Sequence, residues 1–197
     1  MLEDGSVYEG TARGDFKETA CEIVFNTSMT GYVEILTDPS YAGQGVVMTY
    51  PMIGNYGISR EDFESERLQP SAFIVHELSS DPSNFRCTDT IENLLKEYNI
   101  PCISGVDTRA VVKKLRESGT MRGVLTSDIG DRERLMDVIK SFRQIDLVGS
   151  VTAKQTKVYG EENTGAEIAL MDFGTKRNII NNLVKRNCIV TVYPSFT

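Results

Sequence analysis

The spacing of apolar positions changes along the chain. In the first half, short β-rich runs at 21–25, 46–50 and 72–75 stand between clusters of turn residues and predict strands. Farther on the period becomes helical. Ile91, Leu94, Leu95 and Tyr98 lie at i, i+3, i+4 and i+7, an apolar stripe that predicts a helix capped at Thr88 or Asp89 and ending before Pro101. A second helix is expected over 108–118, opened by Asp107, closed by Gly119, with Val111, Val112 and Leu115 facing inward. Leu135, Val138, Ile139 and Phe142 predict a third after Asp131.

Between residues 147 and 166 the periodicity fades into Gly, Ser, Thr, Asn and charged residues, the composition of a linker. A new unit follows at 167–197. An apolar strand at 168–171, a turn at Asp172-Phe173-Gly174, a helix with Ile179, Ile180, Leu183 and Val184 on one face, and a strand at 189–193 make a βαβ pattern. Its strands should be parallel and buried on both faces. Two strands and one helix cannot cover their own apolar surface, so the first domain, another copy or further sequence is expected to cover it. The fold class is therefore α/β: a mixed β/α N-terminal domain over 1–146, a linker over 147–166, and an incomplete parallel βαβ unit over 167–197.

Composition narrows the functional classes. Of the 197 residues, 40% are hydrophobic and 25% charged, as in an ordinary globular domain, and the net charge of -7 argues against a nucleic-acid surface. No apolar run approaches membrane-spanning length, and Met1-Leu2-Glu3-Asp4-Gly5 lacks the start of a secretion signal, so a cytoplasmic protein is expected, not bound to membrane. Without a secretion signal, the glycosylation pattern Asn26-Thr27-Ser28 carries no meaning. Cys21, Cys87, Cys102 and Cys188 are scattered, and His76 is the one histidine. This spacing predicts reduced, mostly buried thiols rather than a metal site or a disulfide framework.

One stretch combines turn residues with large apolar ones: Phe25-Asn26-Thr27-Ser28-Met29-Thr30-Gly31-Tyr32, then Asp38-Pro39-Ser40-Tyr41, then Tyr50-Pro51-Met52-Ile53-Gly54-Asn55-Tyr56-Gly57. Such loops are ordered and packed. The run resembles the start of the small, glutamine-using subunit of carbamoyl-phosphate synthase. Ile103-Ser104-Gly105-Val106-Asp107-Thr108-Arg109-Ala110 and Gly119-Thr120-Met121-Arg122-Gly123 resemble the same N-terminal domain, although helix capping by Asp107 and Gly119 accounts for them equally well. Asp172-Phe173-Gly174 also occurs in protein kinases, but the Gly-rich loop, strand lysine and catalytic loop of that family are missing. Its continuation, Lys176-Arg177-Asn178-Ile179, instead resembles the opening of the class I glutaminase domain of the same subunit.

The resemblance implies glutamine hydrolysis by a cysteine thiolate assisted by a histidine and a glutamate, with ammonia passed to an ATP- and Mg-dependent large subunit for arginine and pyrimidine synthesis. It places those three residues beyond Thr197, so no catalytic residue, metal or cofactor is expected in this chain, and alone it should be inactive. Ser40 matches the serine that reaches across to glutamine and helps stabilise the oxyanion; the alternative is a turn hydroxyl bonding its own backbone. Asn55 and Tyr56 are weaker candidates for the same surface, better read as turn residues. The charged positions Arg132, Glu133, Arg134 and Lys140 read as a solvated helix face. A non-catalytic module docking on the large subunit is the alternative function. In this family a few apolar strand residues usually precede the Leu-Glu-Asp-Gly found here at Leu2, and their loss would expose a sheet edge and favour self-association.

Overall fold

The computed structural model describes residues 1–14, 16–143 and 146–197. The first unit runs β1 (Thr11–Arg13), β2 (Thr19–Asn26), α1 (Tyr32–Thr37), β3 (Gln44–Met48), β4 (Met52–Ile53), β5 (Ala72–Ile74), β6 (Glu77–Leu78), α2 (Ile91–Glu97), β7 (Cys102–Ser104), α3 (Thr108–Ser118), β8 (Met121–Leu125) and α4 (Arg132–Ser141). The second holds α5 (Leu147–Val151), β9 (Lys157–Tyr159), β10 (Glu167–Asp172), α6 (Arg177–Lys185) and β11 (Ile189–Pro194). The fold is α/β.

Six strands form the first sheet in the order β1-β7-β5-β3-β2-β8. The four central strands pair in parallel, and β1 and β8 close the edges antiparallel. A parallel centre needs cover on both faces, and alternate residues supply it. Val46, Met48, Phe73 and Val75 pack with Tyr32, Leu36, Ile91, Leu94 and Leu95 from α1 and α2. Ile23, Val47 and Ile74 pack on the opposite face with Val111, Val112 and Leu115 of α3. Leu135 and Ile139 of α4 cover Val124. Along the β8 edge, Met1 and Val124 exchange backbone hydrogen bonds and the Glu3 N–H donates to the Arg122 carbonyl, so the N-terminal residues already pair with part of that edge.

One local expectation needs correction. The cap of α2 is Thr90, whose hydroxyl accepts from the Asn93 N–H, while Asp89 accepts from the Thr90 N–H and the Asn93 amide. On α4, Leu135 and Ile139 are buried, but Val138 and Phe142 are only half-buried because the stripe packs against an edge strand.

In the second unit β10 and β11 are parallel as expected, and β9 adds an antiparallel third strand to β11. Residues 147–166 thus contain a helix and a strand. The strands are covered on one face only. Ile180 of α6 packs on Val190 and Val192. Met171, Phe173 and Ile179 are 43%, 61% and 50% exposed, against the expectation of burial on both faces and of one buried stripe on α6. The reason is geometric: one helix shields one face of a three-stranded sheet.

Candidate functional site

The Ser40 loop of the first unit meets the second unit at the turn after β10 and the first turn of α6. Asp38 accepts the Ser40 N–H through Oδ1 (2.9 Å) and caps the short 3-10 turn Pro39–Tyr41. Pro at the first turn position has its φ preset for that geometry. Ser40 is exposed, and among the described residues its hydroxyl makes no hydrogen bond; the backbone, not the side chain, builds the turn. Tyr41 anchors the far end by accepting from the Asn26 amide at 2.9 Å.

The facing turn is organised by Asp172, which is 8% exposed. Its Oδ1 accepts from the Gly174 and Thr175 N–H groups at 3.0 and 2.7 Å, its Oδ2 from the Ala153 N–H at 2.6 Å, and its carbonyl from the Thr152 hydroxyl at 2.6 Å. Both carboxylate oxygens are engaged by backbone, which gives the Asp-Phe-Gly triplet an architectural role in place of metal binding. Gly174 has φ +100, and a Cβ there would stand 3.0 Å from Pro39 Cβ and 2.9 Å from Val151 Cγ2. Glycine is what lets this turn approach the Ser40 turn so closely.

Three polar links cross the seam. Lys176 Nζ pairs with Asp38 Oδ2 at 2.9 Å, and that contact raises the lysine pKa above its ordinary value. Glu64, 8% exposed, accepts the Asn178 N–H through Oε2 (3.0 Å) and the Asn178 side-chain amide through Oε1 (2.9 Å), while its carbonyl accepts the Arg177 N–H (2.8 Å). A carboxylate at the N-terminus of α6 is favoured by the helix dipole. Arg67 donates to the Ser150 carbonyl at 2.9 Å.

The weaker sequence candidates, Tyr56 and Asn55, both make turn contacts. Tyr56 stacks on Tyr32 with ring centroids 4.1 Å apart, and its hydroxyl accepts the Gly31 and Tyr32 N–H groups that open α1. Asn55 is exposed, its carbonyl accepting from the Ser83 N–H. Two clefts lie nearby, of about 230 and 490 Å³, but they are lined by residues such as Glu34, Ser59 and Arg86, not Ser40. Arg86 is occupied there by Asp62 and Glu61.

Among the described residues, the thiols stand apart from the one histidine. Cys21 and Cys102 are buried and their thiols are pushed up to about 12 by desolvation. Cys87 and Cys188 are half-buried beside the carbonyls of Asp89 and Arg186. His76 faces the Val106 carbonyl at 3.0 Å. Among the described residues no cysteine hydrogen-bonds a histidine, no metal-binding cluster occurs, and no helix is long and apolar enough to cross a membrane.

Residues 1–125 match the family model described as carbamoyl-phosphate synthase small chain, CPSase domain. The carbamoyl phosphate synthase small chain of Clostridium perfringens is 48% identical over 195 residues, which cover 98% of this chain and 55% of that one. Those of Listeria monocytogenes and Archaeoglobus fulgidus are 44% and 47% identical, again over 98% of this chain and 53% and 54% of theirs. The chain spans about half the length of the curated relatives it matches.

Proposed function

The chain belongs to the carbamoyl-phosphate synthase small-chain family, and from that premise we propose that it forms the N-terminal half of a glutamine-using subunit. In this reading the subunit hydrolyses glutamine and hands ammonia to a large subunit, where ATP, Mg and bicarbonate are used to make carbamoyl phosphate. Arginine and pyrimidine synthesis would draw on the product, and a cytoplasmic location suits that role. This chain contributes Ser40 to the glutamine site. It holds no cofactor and no nucleophile, and by itself it serves as scaffold and docking module for the large subunit.

The observation that carries the reading is the exposed Ser40 hydroxyl, without a hydrogen bond among the described residues, on the turn where the two units meet. A hydroxyl donor so placed can aim at the negative charge that develops on the glutamine amide oxygen during attack, a contribution of roughly 3 kcal/mol in comparable sites. The inactivity of the chain alone is supported by its thiols: a thiolate nucleophile needs a neighbouring base or positive field, and none of the four cysteines hydrogen-bonds His76.

Two assays test this. The purified chain with glutamine is expected to release no ammonia above buffer; robust release overturns the assignment. In a full-length small chain beginning with these residues and paired with its large subunit, Ser40→Ala is expected to lower glutamine-dependent synthesis about a hundredfold while ammonia-dependent synthesis is kept. Equal rates from glutamine before and after substitution would remove Ser40 from the site.

A further inference from the structure

The links across the seam close into a ring. Thr37, the last residue of α1, accepts the Glu64 N–H on its hydroxyl at 2.9 Å and the Ser65 hydroxyl on its carbonyl at 2.6 Å. Glu64 crosses to Asn178 and Arg177 at the start of α6. Lys176, directly before α6, returns to Asp38, and Asp38 is the neighbour of Thr37. The circuit passes through both units and ends on the carboxylate that holds the Ser40 N–H.

We propose that Asp38, Glu64 and Lys176 are positioning residues that fix the Ser40 hydroxyl with respect to the second unit. The proposal rests on the reading that Ser40 serves glutamine. Ser40 hangs from a three-residue turn, and the Asp38 carboxylate that clamps the backbone of that turn fixes where the Ser40 side chain starts from. Oδ2 of that carboxylate is held from the other unit by Lys176, whose own place is set by Glu64 gripping the next two residues. Ser40 is thereby referenced to α6 as well as to its own domain. Catalytic groups need such referencing, because a displacement of about 1 Å can cost on the order of a hundredfold in rate. Two of the three are built for rigidity: Asp38 and Glu64 are buried carboxylates, and Glu64 makes charge-assisted bonds at a helix N-terminus.

The test uses the backbone amide at position 40 as reporter, by NMR hydrogen exchange on the 197-residue chain. Lys176→Ala and Glu64→Gln are each expected to speed exchange at that amide about tenfold, the equivalent of one hydrogen bond, while the β3 amides keep their rates. Lys176→Arg is expected to restore it. Ser40→Ala should leave the reporter unchanged, since Asp38 grips the backbone there, so a failed glutamine role for Ser40 is read separately from a failed positioning role. In the full-length chain, Lys176→Ala should raise the KM for glutamine several-fold with ammonia-dependent synthesis intact, and Lys176→Arg should recover it. Should Glu64→Gln not fold, the half-exposed Lys176 carries the test alone. Unchanged exchange at position 40 in Lys176→Ala, or no recovery with Lys176→Arg, overturns the proposal.

Discussion

The two units share a layered α/β plan and differ in how far each completes it. In the first, a parallel centre is sandwiched between α1 and α2 on one face and α3 on the other, and Val46, Val47, Met48 and Phe73 have no exposed surface. In the second, one helix covers one face, and Ile180, Val190 and Val192 make up the buried cluster. Burial of apolar area is what makes a sheet self-supporting. The first unit therefore acts as a scaffold, and the second takes part of its order from the seam at Asp38, Glu64 and Lys176.

The largest expected effect that sharpens this contrast comes from matched truncations. Phe73→Ala should destabilise the first unit by about 3–5 kcal/mol and, through loss of the scaffold, unfold both. Ile180→Ala should cost about 2 kcal/mol and be felt by the second unit alone. Denaturant unfolding followed with a probe in each unit checks both, and a global transition in Ile180→Ala would erase the distinction.

A smaller effect is expected at the seam. Gly174→Val places a β-branched residue at φ +100 and drives its Cβ toward Pro39 and Val151. Strain of about 1–3 kcal/mol should follow, seen as faster limited proteolysis between the units with the first unit intact. An unaltered cleavage pattern would mean that the units do not depend on this close approach.

The same contrast governs what could be read from sequence. The helix α3 matches its expected span because Asp107 and Gly119 both punctuate it: the Asp107 carboxylate accepts the Ala110 N–H at 3.0 Å, and Gly119 takes φ +84. The stripe Val111, Val112 and Leu115 then had one face to fill. In the second unit the apolar pattern of 168–171 and 179–184 marked strand and helix but not which faces would be covered, because cover depends on neighbours far along the chain. The strand β9 stayed hidden as three residues, Lys157-Val158-Tyr159, inside a polar stretch.

At the candidate site, resemblance points to Ser40 and turn chemistry to Tyr56. Nothing local in the sequence marks Glu64 or Lys176. Glu64 meets Asn178 across 114 residues and looks in sequence like any surface glutamate, and Lys176 stands out only as part of a motif. Periodicity reports local faces, whereas such pairings belong to the docking of two units.

Native-state hydrogen exchange of the wild-type chain, with amides of β3 and β5 compared to those of β11 in rising sub-denaturing denaturant, tests the scaffold claim most directly. The account predicts that Val46, Val47 and Phe73 exchange only through global unfolding, whereas Val190 and Val192 exchange through a smaller opening with lower free energy and weaker denaturant dependence. One shared opening free energy and one shared slope for both sets would contradict it.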